Sequence, residues 1–572
     1  MIGVHPAWLP GSAFRALGSR RVRVTGEGVV VATVRAEVEA AVAEHGGALV
    51  DDGPSDLDLV CAPDDGEPDP EAFVVGRAGT TTVVRATGGA GLLYGLHHVV
   101  RLGESAFRGA AEPQRHAPRQ PVRMLDHWDN VDVHPVMGQV ERGYSGGSIF
   151  YADGAVRADL SRVRAYARLL GSVGVNRVGL NNVNVGRTEA GLLTELLPEV
   201  VRLAEVFRPH GIRVHLSVSF AAPITLGGLP TADPLDPAVR DWWARTTAEV
   251  YAAIPDFGGY VVKADSEGQP GPFAYGRDHA EGANVLARAL APFGGTVFWR
   301  AFVYNHHQDW RDRTTDRARA AYDHFAPLDG RFDPNVVLQV KAGPMDFQTR
   351  EPVSPVIAGM PRTRLAVEFQ VTQEYTGHQK HVCHLVPLWR EMLGFRPWGE
   401  DGPTVADSAA GRATAPAGGV VAVSNVGDDP FWTGHRDDLG VQRAGDGDAG
   451  QTGRRGDAQG VGGEPPAVGR GLDLAHGGRE AGAVGLRLQP VEGDVPLDVV
   501  GRRGQVAATA RHDLARGARR GDGLVRAGRH RRGADLHQAG RIGRRRCDDD
   551  QPGHHGRGDR CSQDHGSTSR FG

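Results

Sequence analysis

From Pro121 to Asp429 the chain alternates short runs rich in β-forming residues with longer stretches of helical periodicity, and this alternation limits the fold more than any other feature. Strands that return in one direction through intervening helices build a parallel sheet with helices packed on it. Eight candidate strands are present: Val122–Trp128, Asn176–Val185, Ile212–Phe220, Tyr260–Glu267, Thr296–Tyr304, Asn335–Gly343, Leu365–Glu374 and Gly419–Gly427. Helical stretches at Leu160–Leu170, Leu193–Phe207, Pro237–Ile254, His279–Leu290, Arg317–Phe325 and His381–Leu393 lie between them. Eight such units over about 300 residues fit a closed (β/α)8 barrel, the TIM-barrel member of the α/β class.

Residues 1–118 read differently. Arg21-Val-Arg-Val, Ala48-Leu-Val, Leu57-Asp-Leu-Val and Thr81-Thr-Val-Val-Arg are strand-like, Val34–His45 is amphipathic, and Gly88–Leu102 is a glycine-led helix. This predicts a smaller α+β accessory domain with no catalytic cluster, ahead of a barrel over 119–435. Residues 436–572 form a third region whose only aromatic is Phe571, with 30 glycines and 24 arginines and no sustained periodicity. A disordered low-complexity tail is one reading. A basic RNA-binding arm is another, but aspartates interleave the arginines and no aromatics are present to stack bases. A reading-frame shift in a GC-rich gene fits better, because the break follows Asp428-Asp-Pro-Phe-Trp-Thr-Gly-His, where a barrel still needs its eighth helix.

A net charge of −4 argues against nucleic acid or an anionic membrane as partner. No run approaches the roughly 20 apolar residues of a membrane span, and the N-terminus carries no apolar signal segment. Cys61, Cys383, Cys547 and Cys561 have neither disulfide-framework nor zinc spacing, so a cytoplasmic protein without a metal or other cofactor is expected. Lys263, Lys341 and Lys380 are the only lysines in an arginine-rich chain, which singles each out for inspection.

Barrel enzymes carry their chemistry at the C-terminal ends of the strands. The fourth candidate strand ends Lys263-Ala-Asp-Ser-Glu267, and a period of two would set residues 263, 265 and 267 on one face. The fifth adds Arg300, the sixth Gln339 and Lys341, and the loop after it Asp346. In the seventh, Leu365, Val367, Phe369 and Val371 form an apolar face, opposite Glu368, Gln370, Thr372 and Glu374, which would look into the barrel. One inward Lys–Glu pair is ordinarily a structural ion pair. Three cations and three carboxylates on four successive strands are costly to bury for stability alone, since each ion loses several kcal/mol of hydration; a functional site is expected. Paired carboxylates in unlike surroundings suit glycosidic bond cleavage, one as acid and one activating water. The cations suit an anionic sugar.

At these residues the sequence resembles the bacterial α-glucuronidases of glycoside hydrolase family 67. The resemblance is carried by Trp128-Asp-Asn, Glu141-Arg-Gly-Tyr-Ser-Gly, Asn181-Asn-Val-Asn, Val262-Lys-Ala-Asp-Ser-Glu-Gly-Gln-Pro-Gly-Pro-Phe, Tyr275-Gly-Arg-Asp-His-Ala-Glu-Gly-Ala-Asn, Trp299-Arg-Ala-Phe-Val-Tyr, Gly343-Pro-Met-Asp-Phe-Gln-Thr-Arg-Glu-Pro and Gln373-Glu-Tyr-Thr-Gly. It implies that Glu267 is the general acid and that Asp346 and Glu374 activate the attacking water. Lys263, Arg300 and Lys341 would hold the uronate carboxylate, and Trp128 would wall the sugar. The implied reaction is inverting hydrolysis of the α-1,2 bond between (4-O-methyl)glucuronic acid and the terminal xylose of xylan fragments, without a metal. A helical C-terminal domain contributing to a homodimer is also implied, and the altered C-terminus would compromise it. Asp265 and Ala342 stand where asparagines are expected, and Val131–Gln139 is longer than the family's usual turn. Alternatives are a metal-dependent uronic acid lyase or isomerase using Lys263 or Lys341 as base, a retaining glycosidase, and an inactive truncated homologue that folds poorly or binds uronates without turnover.

Overall fold

The computed structural model describes residues 8–63, 67–108, 112–131, 148–303, 311–344, 351–371, 386–412 and 414–424. Asp346, Glu374, the turn after Val131 and the whole of 436–572 lie outside the described residues.

The first domain is a six-stranded sheet of order β2-β1-β3-β5-β4-β6, with β1 Arg21–Thr25, β2 Ala48–Leu49, β3 Leu57–Cys61, β4 Phe73–Ala78, β5 Thr81–Ala86 and β6 Gln114–His116. Strands β1, β2, β3 and β5 run parallel, while β4 and β6 join antiparallel. β4 and β6 are additions to the sequence reading. The helix Val29–His45 begins earlier than its periodic face suggests, after Gly28 at φ 112°. Its face of Val34, Val38, Ala41 and Val42 is buried, as the period predicts.

The second domain closes into a barrel of eight parallel strands: β7 Arg123–His127, β10 Arg177–Gly179, β11 Arg213–Ser217, β12 Gly259–Val262, β13 Thr296–Arg300, β14 Val336–Lys341, β15 Leu365–Gln370 and β16 Val420–Ser424. A hairpin of β8 Tyr151–Ala152 and β9 Ala155–Val156 interrupts the first βα connection. All eight expected strands are present, and each is shorter than its apolar run. Helices match closely: His279–Leu290 and Arg317–Phe325 have the expected bounds. The first of these is fixed by a reciprocal cap, in which Glu281 N–H donates to Asp278 Oδ1 (2.9 Å) and Asp278 N–H to Glu281 Oε2 (3.0 Å). No described helix is long and apolar enough to cross a membrane.

Alternation along the strands divides the barrel into two apolar surfaces. Outward residues such as Leu216, Val262, Trp299, Leu338 and Val367 pack under the helices. Inward residues Met124, Val261, Phe298, Val337, Ala366 and Val421 fill a waist across the barrel axis. One step of the pleat above that waist the inward residues become Asp126, Lys263, Arg300, Gln339 and Glu368, all buried. The waist therefore forms the floor of a polar chamber at the C-terminal ends of the strands.

The domains meet at the other end of the barrel. Arg123, fully buried at the start of β7, donates Nη1–H to Glu71 Oε2 (2.8 Å) and Nη2–H to the Tyr94 hydroxyl (3.0 Å) in the first domain. Asn176 Nδ2–H donates to the other Glu71 oxygen (2.9 Å). Arg168 grips Glu37 through two bonds, of 2.5 and 2.7 Å.

Candidate active site

The chain leaves β12 at Val262, so Lys263 is the first residue past the strand. The ladder does not continue through Asp265 and Glu267; both adopt left-handed backbone, each with φ 50°. The expected alignment of residues 263, 265 and 267 along one pleated face is therefore incorrect. What brings Glu267 to Lys263 is a tight turn that folds the segment back, so that Lys263 Nζ meets Glu267 Oε2 across four residues. Lys263 also donates to Asn184 Oδ1 at 2.6 Å. Asn184 belongs to the Asn181-Asn-Val-Asn string, in which Asn181 replaces a backbone rung: its side chain donates to Ser217 O and accepts from Ser217 N–H, both at 3.0 Å. The Asn181 amide thus continues the β10–β11 edge beyond the strand, and Asn184, three residues on, meets Lys263.

Burial pulls the Lys263 ammonium down to about 8; Glu267 opposes this, and the repulsion of Arg300 and Lys341 adds to it. For Glu267, burial pushes the carboxyl up, but the pull of Lys263, Lys341 and Arg300 together holds it below the ordinary glutamate range. Near neutrality the two form an ion pair. Burial raises neighbouring Asp265 to about 6, against a hydrogen bond from Phe273 N–H (3.2 Å). Ala342, at the other departure, is buried and donates its N–H to Glu368 O (2.8 Å).

Arg300 ends β13, directly opposite Gln339 on β14, and Lys341 lies opposite Glu368 on β15. Arg300 makes a bidentate pair with Glu368, Nε to Oε2 at 2.9 Å and Nη2 to Oε1 at 2.6 Å, and both side chains are almost wholly buried. Gln339 Nε2–H donates to Glu368 Oε2 at 2.7 Å. Arg300 and Lys341 hold the Glu368 carboxyl below its ordinary range against the upward push of burial. The Arg300 guanidinium carbon lies 5.8 Å from the centre of the Trp128 ring, and Lys341 Nζ lies 4.0 Å from the Phe302 ring centre.

Of the residues singled out from the sequence, Lys263, Glu267, Arg300, Lys341 and Trp128 thus share one chamber. Asp346 and Glu374 lie outside the described residues. Sequence reasoning gave no role to Asn184, to Glu368 as the partner of Arg300, or to Asp126. A signal for Asp126 existed: Met124, Asp126 and Trp128 share a period of two, so an acid between two inward residues should itself point inward. Burial raises Asp126 to about 7; Arg300 and a hydrogen bond from the Gln339 side chain pull it down, and Glu368 pushes it up.

The chamber can therefore hold an anion between Lys263, Lys341 and Arg300, beside a carboxyl able to give or take a proton. Among the described residues no cluster of His, Cys, Asp and Glu forms a candidate metal site.

Residues 108–432 match the family model described as the glycosyl hydrolase family 67 middle domain. The chain is similar to a protein named "Probable alpha-glucuronidase A" of Aspergillus fumigatus, with 49% identity over 347 residues, 60% of this chain and 40% of that protein. It is also similar to "Alpha-glucuronidase A" of Emericella nidulans, with 46% identity over 373 residues, 64% of this chain and 43% of that protein. It spans about two fifths of the length of these curated relatives. Among solved structures, a beta-N-acetylhexosaminidase from Bacteroides fragilis superposes with a TM-score of 0.43 at 14% identity, covering 71% of this chain and 81% of that one. That likeness is too weak to inform the chemistry.

Proposed function

The chain belongs to glycoside hydrolase family 67, and from that membership and the chamber's charges we propose that it hydrolyses α-1,2-linked (4-O-methyl)glucuronic acid from xylo-oligosaccharides, with inversion. Its substrates are then aldouronic acid oligosaccharides of xylan breakdown, met in the cytoplasm. The observation that carries the reading is the contact between Lys263 and Glu267 in a chamber that also holds Arg300 and Lys341.

In this reading Lys263, Lys341 and Arg300 receive the sugar carboxylate, Trp128 walls the ring, Glu267 protonates the leaving oxygen, and Asp346 with Glu374 activates the attacking water. An acid held by an ammonium is ionised and cannot donate, so Glu267 must change state when substrate binds. The uronate supplies the means. Its carboxylate competes for Lys263, loosens the ion pair and brings a second negative charge near Glu267. Both effects favour the protonated acid. The substrate's own charge thus arms the proton donor, and a neutral sugar of the same shape would leave Glu267 ionised.

Glu267→Gln tests the assignment. We expect kcat on aldouronic acids to fall by about 10²- to 10⁴-fold, the range of a lost general acid, with the Lys263 contact retained by the amide oxygen. In the wild-type enzyme the group titrating in kcat should have a higher pKa than the same group in kcat/KM, because the first reports the complex and the second the free enzyme. Unimpaired turnover by Glu267→Gln would move the acid elsewhere.

A further inference from the structure

At the end of the barrel away from the chamber, the first domain and the starts of the strands enclose a cleft of about 620 Å³. Its wall takes Arg177 and Arg213 from the barrel and the first residues of the helix Gly89–Leu102 from the first domain. Arg177 opens β10, Arg213 opens β11, and the two are register partners in the parallel ladder. Paired positions leave the same face of a sheet, so two guanidinium groups rise side by side from backbones about 4.8 Å apart.

Neither has an acid to relieve the repulsion. Arg177 makes one side-chain hydrogen bond among the described residues, from Nη1 to His215 Nε2 (3.1 Å), and its Nε is buried with no acceptor. His215 is no counter-charge, since burial, Arg177 and Arg213 hold its ring well below the ordinary histidine range. Arg213 is exposed and, among the described residues, makes neither a hydrogen bond nor an ion pair. The nearby carboxylates are engaged elsewhere. Glu71 turns one oxygen to Arg123 and the other to Asn176, Asp69 accepts the Glu71 N–H (3.0 Å), and Asp407 pairs with Arg119. Burial and the repulsion of Arg213 pull the Arg177 guanidinium down to about 10; Glu71 opposes this, while Arg364 and Arg123 add to it.

The helix that faces them is open at its positive end. Gly88 caps it without a side-chain hydrogen bond, and its first turn holds no acid. Gly91 N–H donates to Pro70 O and Leu92 N–H to Gly88 O, both at 3.1 Å, but the N–H groups of Gly89 and Ala90 have no acceptor among the described residues. A Cβ at Gly211, two residues before Arg213, would lie 3.5 Å from Ala90 Cβ, so these amides stand beside the start of β11. Helix-end amides and two guanidinium groups without acids ask for the same ligand, a compact anion.

We propose that this cleft binds the phosphate of a small phosphomonoester, held by Arg177 and Arg213 and by the Gly89 and Ala90 amides. Two guanidinium groups match a dianion better than a single carboxylate, and each can pair with two phosphate oxygens. The cleft has the volume of a small-molecule site, which leaves room for the rest of the ester. Each domain supplies part of the wall, so the bound phosphate ties the first domain to the base of the barrel and stabilises the folded protein. The proposal is independent of the reading of the chamber, which lies beyond the waist.

The test is calorimetric titration of inorganic phosphate and of glycerol phosphate, up to about 10 mM, into the full-length wild type, Arg213→Gln and Arg177→Gln, with ionic strength held constant by chloride. The wild type should bind a saturable equivalent of either, with Tm rising by about 2 °C at tenfold excess over Kd. Arg213→Gln should raise that Kd by about 10- to 100-fold, the range of one charged hydrogen bond, and Arg177→Gln should do the same. Arg213 bonds to no described residue, so Arg213→Gln should fold and, without phosphate, melt no lower than the wild type. All three proteins carry the same arginine-rich residues 436–572, so the difference between them reports the cleft. D-glucuronate, with one charge, should not displace the phosphate at equal concentration. Equal phosphate affinity in the wild type and Arg213→Gln, absence of saturable binding, displacement by glucuronate, or binding of inorganic phosphate without glycerol phosphate would each overturn the proposal.

Discussion

Lys263 and Glu267 meet only because Asp265 and Glu267 accept left-handed backbone, a state that costs a side-chain-bearing residue of order 1–3 kcal/mol. The ion pair with Lys263 and the bond from Phe273 N–H to Asp265 offset part of that cost, so the strain is held where the chemistry is expected. The cations of the chamber are not equivalent. Lys263 contacts Glu267 and Asn184, Arg300 contacts Glu368, and Lys341, which stands over the Phe302 ring, is the least buried of the three. Under the proposed function, Lys341→Ala removes a charged hydrogen bond to the uronate worth about 1.5–3 kcal/mol. We expect kcat/KM on aldouronic acids to drop by about 10- to 100-fold, and on an uncharged xyloside-linked glucose analogue hardly at all. Equal losses on both substrates would mean that Lys341 serves the fold and not the carboxylate.

At the scale of elements, β7 carries charge at both ends. At its C-terminal end Asp126 reaches into the chamber; at its base Arg123 crosses into the first domain. The guanidinium has four partners, Glu71, Tyr94, Gly174 O and Gln120 O, of which Glu71 alone is charged. Burial pushes the Glu71 carboxyl up, yet Arg123 and Asn176 hold it below the ordinary range, as expected of an ion that stays charged in place. Glu71→Ala should therefore destabilise the protein by about 3–5 kcal/mol, the cost of stranding a buried charge. Denaturant melting would read this as a lower midpoint, and Arg123→Met in the same chain should recover part of it. A change below about 1 kcal/mol would place Arg123 in water instead.

For the molecule as a whole, the change of composition near Arg436 comes just after the last barrel strand, β16, which ends at Ser424. A (β/α)8 barrel needs a helix after each strand to cover its outward apolar face. A glycine- and arginine-rich stretch with Phe571 as its only aromatic supplies no such periodicity. We propose that this stretch is a shifted frame, standing in place of the helical continuation that the sequence resemblance implies. Resequencing the DNA around codon 435 should reveal a displacement of one or two bases that restores a helical, aromatic-containing continuation. A frame that reads as given would end that explanation.

The order and number of the barrel strands, the bounds of helices such as His279–Leu290, and the inward set Glu368 and Gln370 on β15 were legible in the amino-acid string. Each depends on a repeat of 2 or 3.6 residues, which neighbouring positions carry without reference to distant ones. Tertiary structure alone decided who meets whom. The Arg300–Glu368 pair joins residues 68 apart through the register of β13, β14 and β15. The turn that brings Glu267 to Lys263 follows no period at all. Alternation says which way a side chain points; only the packed barrel determines what it finds there.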